Sequence, residues 1–147
     1  MVQTILIVED DPAQSRYLVE IVGRQGYRTI AVDGGQAAID LLLRARGEAV
    51  DLVLLDLVMP EVDGLEVLRQ LHPERPDLPI VVLTVKGSID TVVEVMRAGA
   101  ADFVVKPAAP ERLRVTIENA IKVTALSDQV SRLTRRGEGN TSFADVV

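Results

Sequence analysis

Five short apolar runs alternate along the chain with longer amphipathic segments. The runs hold four or five residues each, mostly aliphatic and β-branched, at positions 5–8, 28–32, 51–55, 80–83 and 102–105. Runs of this length and composition are typical of strands that are buried on both faces of a sheet. The pattern therefore predicts five buried strands.

The segments that follow the runs carry apolar residues three and four positions apart, which is the spacing of one helix face. Five such stripes occur: Leu18, Ile21 and Val22; Ala37, Ala38, Leu41 and Leu42; Leu65, Leu68 and Leu71; Ile89, Val92, Val93 and Met96; and Leu113, Ile117, Ala120 and Ile121. Strand followed by helix, five times over, requires a parallel sheet with helices on both faces. We therefore predict an α/β fold with a doubly wound (βα)5 sheet. Prolines before the fourth run predict a loop there, which would carry the single histidine, His72.

Composition narrows the class of protein. Apolar residues make up 48% of the 147 residues, which is enough for the core of one ordinary domain. The net charge of −6 argues against direct binding of nucleic acid by this chain. The absence of cysteine excludes a disulfide, a thiolate zinc site and a thiol nucleophile, and fits a reducing cytoplasm. No apolar run approaches the length of a membrane span, so we expect a soluble, cytoplasmic protein.

The chain changes character after Ile121. Val123, Leu126, Val130 and Leu133 follow one another at spacings of three, four and three, which is a heptad seam of barely two heptads. A short coiled coil and an ordinary helix both fit this pattern. We predict one domain over residues 1–123, then a helical linker and the start of a further domain over residues 124–147.

Candidate site residues follow the first, third, fourth and fifth predicted strands. The first strand runs into Glu9, Asp10 and Asp11, the third into Asp56, the fourth into Thr84 and the fifth into Lys106. In an open parallel sheet, ligands bind beyond the carboxyl ends of the strands, so these side chains are expected to meet at one edge. Crowded carboxylates repel one another unless a cation lies among them, and an all-oxygen site suits Mg²⁺. The sequence therefore predicts a magnesium site.

Asp56 is the candidate for chemistry. It follows an apolar strand, which is a costly environment for a carboxylate without a partner, so a function explains its presence. A carboxylate can attack a phosphoryl group and form an aspartyl phosphate. Such a transfer needs a metal, a lysine and a hydroxyl around the phosphoryl oxygens, and Asp10 and Asp11 with Mg²⁺, Lys106 and Thr84 supply them. Each residue alone also has an ordinary interpretation: a helix N-cap at Asp10 and Asp11, a strand-end hydroxyl at Thr84 and a solvated charge at Lys106.

Taken together, four segments resemble the receiver domains of two-component response regulators. The segments are ILIVEDD at 5–11, DLVLLDLVMP at 51–60 followed by Asp63 and Gly64, PIVVLT at 79–84 and GAADFVVKP at 99–107. The resemblance covers residues 3–123 and implies a flavodoxin-like sheet with strand order 2-1-3-4-5. It implies roles as follows: Asp56 as phosphoacceptor; Asp10, Asp11, Asp56 and the Val58 carbonyl as Mg²⁺ ligands; Lys106 as phosphate contact; Thr84 and Phe103 as a switch pair. Phe103 alone would equally suit the core.

The resemblance also implies partners. A sensor histidine kinase would supply the phosphoryl group, and the chain would catalyse its own phosphorylation and slow dephosphorylation while acting as a regulator rather than an enzyme. Residues 124–147 resemble the approach to the AAA+ domain of NtrC-like, sigma-54-dependent transcriptional activators, with an unrelated tail as the alternative. The apolar surplus of the fourth predicted helix favours a homodimer through the face of the fourth and fifth helices and the linker.

Two departures from the family pattern stand at the site. Val85 follows Thr84 where the family has a small residue, and Ala108 follows the Lys106-Pro107 pair where the family often has phenylalanine. Three other functions remain open: a Mg²⁺-dependent phosphatase, an interaction module that works without phosphorylation, and a stand-alone receiver without an output domain. A phosphatase of this kind would require a second acidic residue two positions beyond Asp56, where this chain has Val58.

Overall fold

The computed structural model describes residues 2–44, 49–59, 63–85 and 87–136, with side chains up to residue 126. Strands and helices alternate through these residues as the sequence pattern predicts. Their bounds are β1 Thr4–Val8, α1 Pro12–Arg24, β2 Arg28–Val32, α2 Gly35–Ile39, β3 Leu52–Asp56, α3 Gly64–Glu74, β4 Ile80–Thr84, α4 Ile89–Arg97, β5 Asp102–Val105 and α5 Pro110–Arg136.

The five strands form one parallel sheet in the order β2-β1-β3-β4-β5, which confirms the predicted doubly wound fold. Strand β1 pairs with β2 on one side and β3 on the other, so Ile7 lies between Ala31 and Leu54. The chain therefore leaves β1 in one direction and returns on its other side at β3. This reversal opens a crevice at the carboxyl ends of β1 and β3, where open α/β sheets bind ligands.

Alternating residues of the central strands enter two separate core layers. One layer joins residues such as Leu6 and Leu55 to α2, α3 and α4, and includes Leu68 and Val95. The other joins residues such as Ile5 to α1 and α5. Helices thus cover both faces of the sheet, and β1, β3 and β4 are buried along their whole length. The edge strands β2 and β5 are only partly covered, unlike the prediction, because each has a neighbouring strand on one side alone.

Two local elements differ from the prediction. The stripe around Leu41 does not stay α-helical, because α2 passes into a π-helical segment, Asp40–Arg44. His72 lies in the last turns of α3 and not in a loop, since that helix continues through Pro73 to Glu74. The His72 ring packs against Gly99, whose φ of +111° and close approach to the ring both require glycine.

The last helix runs through the predicted domain boundary at residue 123, since α5 continues to Arg136. The side chains of Val123 and Leu126 are 62% and 60% exposed, so this part of the seam contributes little to the core of the domain. The side chains of Val130 and Leu133, and residues 137–147, lie outside the described part of the structure. Among the described residues, no helix combines the length and the hydropathy needed to cross a membrane.

Candidate functional site

Three carboxylates meet at the carboxyl ends of β1 and β3. One oxygen each from Glu9, Asp10 and Asp56 lies within 4.8 Å of the others. Asp56 is the last residue of β3 and Glu9 directly follows β1, so the crevice between these neighbouring strands holds both. Glu9 is 2% and Asp56 is 5% exposed. The predicted convergence on one sheet edge is therefore present, with two of the carboxylates buried.

Asp11 lies outside this cluster of three carboxylates, whereas Glu9, which was not among the predicted Mg²⁺ ligands, lies within it. Asp11 is the N-cap of α1, and its Oδ2 accepts a hydrogen bond from the backbone N–H of Gln14 at 3.1 Å. The backbone N–H of Asp11 donates to Glu9 Oε2 at 3.3 Å. The physical reason is that the chain is already turning into α1 at Asp11, ahead of Pro12 in the first helical turn. The Asp-Pro pair was the signal for this cap.

Lys106 bridges the two buried carboxylates. Its Nζ lies 3.0 Å from Glu9 Oε1 and 3.0 Å from Asp56 Oδ1. Burial lowers the pKa of the Lys106 ammonium, but its bonds to Glu9 and Asp56 outweigh burial and raise that pKa above its ordinary value. Burial raises the pKa of the Glu9 carboxyl, against the opposing effect of Lys106, and the charge of Asp56 adds to the increase. Lys106 is therefore the positive partner that these buried carboxylates need.

Thr84 and Phe103 lie on the two strands beyond Asp56. Thr84 ends β4 and is 2% exposed, and its carbonyl accepts the backbone N–H of Lys106 at 2.7 Å. Phe103 lies on β5 beside Val82 and packs, half-buried, against the core layer of α3 and α4. The alternation of β4 places Thr84 on the same face as Val82. The predicted switch pair thus shares one face of the sheet, next to the site.

Two valines stand near the mouth of the crevice. Val58 and Val85 are 63% and 62% exposed, and each follows a strand that ends in a site residue, Asp56 or Thr84. Their exposure gives the mouth an apolar character that the acidic interior lacks. The Val58 carbonyl remains a predicted Mg²⁺ ligand.

Close packing fixes the backbone of Asp56. Asp63 caps α3 by accepting the N–H of Glu66 at 2.9 Å, which starts the helix at Gly64. A side chain at Gly64 would collide with the backbone of Asp56 and Leu57, so only glycine lets α3 approach this closely. The Asp63-Gly64 pair therefore supports the strand end that carries Asp56.

The charges of the crevice suit a divalent cation. Three carboxylates face one ammonium, so the described site has an excess of two negative charges. Hard oxygen ligands from one or two carboxylates, completed by water, are what Mg²⁺ prefers. Glu9, Asp10 and Asp56 therefore fit a magnesium ion, with Lys106 beside it.

Comparisons with known proteins agree with this geometry. The sequence profile described as the response regulator receiver domain matches residues 5–118. The transcriptional regulatory protein ZraR of Klebsiella oxytoca is 34% identical over 124 residues, which are 84% of this chain and 27% of that protein. The regulatory protein LuxO of Vibrio cholerae is 48% identical over 90 residues, 60% of this chain and 20% of LuxO. The crystal structure of NtrX from Brucella abortus with ADP superposes with a TM-score of 0.82 at 30% identity, over 90% of this chain and 30% of NtrX.

The chain spans about a quarter of the length of these relatives, so the match concerns the domain and not the whole of ZraR or LuxO. Within that domain the profile covers each of Glu9, Asp10, Asp56, Thr84 and Lys106. The sheet order, the acidic crevice and the profile lead to the same result: the chain belongs to the response regulator receiver domain family.

Proposed function

We propose that this chain accepts a phosphoryl group on Asp56 from a phosphohistidine of a sensor histidine kinase. The observation that carries the proposal is the surroundings of the Asp56 carboxylate: it is buried at a strand end, 3.0 Å from the Lys106 ammonium and beside two further carboxylates. A purely structural strand end has no use for this set of charges. The role of the chain is regulation, and the reactions that it promotes are its own phosphorylation and slow dephosphorylation.

The transfer needs one bond to form and one to break. An oxygen of Asp56 attacks the phosphorus, the bond from phosphorus to the histidine nitrogen breaks, and the imidazole leaves with the electron pair. Lys106 contacts an oxygen of the transferred group and offsets its charge, and Glu9, Asp10 and Asp56 would hold a magnesium ion. When bound, the ion neutralises charge on the phosphoryl oxygens and on Asp56. The Thr84 hydroxyl donates to a remaining oxygen.

Thr84 and Phe103 connect the phosphoryl group to the surface. A Thr84 hydroxyl drawn toward the new phosphate vacates space on the face that it shares with Phe103, and the half-buried ring can turn into that space. This gives a two-position element whose balance the phosphate shifts.

We infer that the output is transcriptional activation through an NtrC-like AAA+ domain that works with sigma-54. The relative ZraR is a transcriptional regulatory protein and LuxO is a regulatory protein, and the matched segments make up only 27% and 20% of their lengths. The resemblance of residues 124–147 to the approach to such a domain supports the same interpretation. The continuous helix α5, through Arg136, is a direct physical link from the phosphorylated domain toward that output.

Beryllofluoride with Mg²⁺, which mimics an acyl phosphate, is expected to shift the amide signals of Asp56, Thr84 and Phe103 in ¹H–¹⁵N spectra. The mimic places a charged group against Asp56, so residues of the switch pair respond although they are not the attachment point. Signals that do not move would favour an interaction module that needs no phosphate. Repeated turnover of a phosphomonoester would favour the phosphatase, for which exposed Val58 offers no second acid.

Substitutions at Asp10 and Asp11 are expected to affect different properties: Mg²⁺ affinity at Asp10 and stability at Asp11. Asp10→Asn weakens Mg²⁺ binding at least about tenfold, because it removes a carboxylate from the cluster. Asp11→Asn keeps both Mg²⁺ affinity and the helix cap, whereas Asp11→Ala lowers the free energy of unfolding by about 1 kcal/mol through loss of the cap. Calorimetric titration with Mg²⁺ and thermal unfolding measure the two effects. Equal loss of Mg²⁺ affinity in Asp10→Asn and Asp11→Asn would return Asp11 to the metal site.

We also propose a homodimer through α4, β5 and α5. Ile89 is 81% exposed, and Val93, Met96 and Val105 are each at least 40% exposed. These side chains of α4 and β5 form a larger apolar surface than is expected where a protein faces only water. Sedimentation at high protein concentration is expected to show self-association that changes with beryllofluoride and weakens in a chain ending at Val123. Charges placed on the face by Ile89→Glu and Met96→Glu should give a monomer, with Val2→Glu as an exposed control outside it. A monomer in every sample would leave this face to another domain.

A further inference from the structure

A hydrogen bond joins α1 to the loop that carries Lys106. The hydroxyl of Tyr17 donates to the backbone carbonyl of Ala108 at 2.9 Å, across 91 positions of sequence. Tyr17 lies on the outer part of α1 and is 44% exposed, so its ring is not needed to fill the core, which α1 reaches through Leu18 and Val22.

Among the described residues, few other hydrogen bonds reach the middle of the loop between β5 and α5, although Gln25 Nε2 donates to the Pro110 carbonyl at 2.9 Å where α5 begins. The loop contains Pro107 and leads into Pro110, and neither has a backbone N–H to donate. Its beginning is fixed where the N–H of Lys106 bonds to the Thr84 carbonyl at 2.7 Å, and its end where α5 starts. Between these points Ala108 turns its methyl group into the core and its carbonyl to Tyr17. The Tyr17 hydroxyl therefore holds the middle of the loop.

The loop continues directly from Lys106, so its position affects where the Lys106 ammonium lies, together with the bond of the Lys106 N–H to the Thr84 carbonyl. Ala108 is two residues from Lys106, and the Lys106 Nζ must reach 3.0 Å from both Glu9 and Asp56. Misplacement of a charged group by about 1 Å is enough to slow a reaction that depends on positioning. We propose that Tyr17 is a positioning residue for phosphoryl transfer: its hydroxyl fixes the loop from β5 to α5 and through it Lys106. This inference rests on the proposed role of Asp56 and Lys106.

Tyr17→Phe tests it, because the substitution removes one oxygen and keeps the ring. Tyr27→Phe is the matched control, since it removes the same atom from the only other tyrosine, which precedes β2 at the opposite end of the sheet. With acetyl phosphate as donor and saturating Mg²⁺, the labelling rate of Tyr17→Phe is expected to fall about fivefold, the factor that corresponds to one ordinary hydrogen bond. Tyr27→Phe should keep the rate of the unaltered chain within about twofold.

Two further readouts separate positioning from general loosening. The Mg²⁺ dissociation constant of Tyr17→Phe should stay within about twofold, since Glu9, Asp10 and Asp56 are untouched. In the metal-free protein, the amide signals of Lys106, Ala108 and Ala109 and the side-chain ε-CH₂ signal of Lys106 should shift in Tyr17→Phe and not in Tyr27→Phe.

An unaltered labelling rate in Tyr17→Phe, or a fall matched by equal loss of Mg²⁺ affinity, would overturn the inference. Failure of the unaltered chain to be labelled would instead overturn the proposed role of Asp56. The spectra of the metal-free protein test the contact between Tyr17 and the loop in either case.

Discussion

Asp56→Asn is expected to abolish labelling of the chain by acetyl phosphate, with a fall of at least about a hundredfold. The amide that replaces the carboxylate is a far poorer nucleophile, and the substitution also removes one negative charge from the metal site. The side chain keeps its size and the buried position at the end of β3, so the fold should persist. Incorporation of phosphate, followed by intact-mass measurement, gives the result directly.

Asp51→Asn is the matched control, because it makes the same change just before the same strand. Asp51 Oδ2 accepts the N–H of Thr4 at 2.7 Å, a bond that an amide oxygen can also make, and it lies at the opposite end of β3 from the site. We expect this variant to be labelled like the unaltered chain. Labelling that survives in Asp56→Asn and is lost in Asp51→Asn would place the nucleophile elsewhere.

Sequence periodicity was sufficient to predict the sheet and the edge at which Glu9, Asp56 and Lys106 meet. Parallel strands deliver their carboxyl ends to one edge, so the residues after each apolar run located Asp56, Thr84 and Lys106 from the sequence alone. The predicted strand ends were short by one residue at Asp56 and Thr84, which are the last strand residues and not the first loop residues. Periodicity marks apolar positions, and both strands end in a polar side chain.

Which of three consecutive acids enters the crevice could not be deduced from periodicity. Glu9, Asp10 and Asp11 are consecutive and carry the same charge. Which of them enter the crevice depends on where β1 ends and α1 begins. The contact between Lys106 and Glu9 joins residues 97 apart, so it exists only in the folded sheet. His72 was misplaced for a different reason, since Pro73 is tolerated inside the last turns of α3 although proline usually ends a helix.

Lys106→Gln is expected to lower the free energy of unfolding by about 3 kcal/mol at neutral pH in the absence of divalent cations, which corresponds to roughly 10 °C in Tm. The substitution leaves Glu9 and Asp56, both buried, without the ammonium that lies 3.0 Å from each. Removing one partner of a buried ion pair leaves the other charge buried and unpaired, and here two carboxylates lose their partner at once. Denaturant titration in a chelating buffer measures the loss.

The pH dependence of this loss of stability follows from the pKa of the Glu9 carboxyl. Burial and the charge of Asp56 already hold the pKa of the Glu9 carboxyl above its ordinary value, and removal of Lys106 takes away the opposing effect. A carboxyl whose pKa is raised on folding binds more protons in the folded chain, so stability falls as pH rises through that pKa. The deficit of Lys106→Gln is therefore largest at neutral pH and shrinks on acidification, as Glu9 takes up a proton.

Mg²⁺ and a second lysine complete the test of Lys106. Saturating Mg²⁺ should restore much of the stability lost in Lys106→Gln, because a divalent cation among Glu9, Asp10 and Asp56 replaces the missing positive charge. Lys122→Gln, the same change at an exposed position on α5, should alter the free energy of unfolding by less than about 0.5 kcal/mol. A deficit in Lys106→Gln that grows on acidification, or that Mg²⁺ leaves unchanged, would mean that Lys106 supports the loop through packing and not the carboxylates through charge.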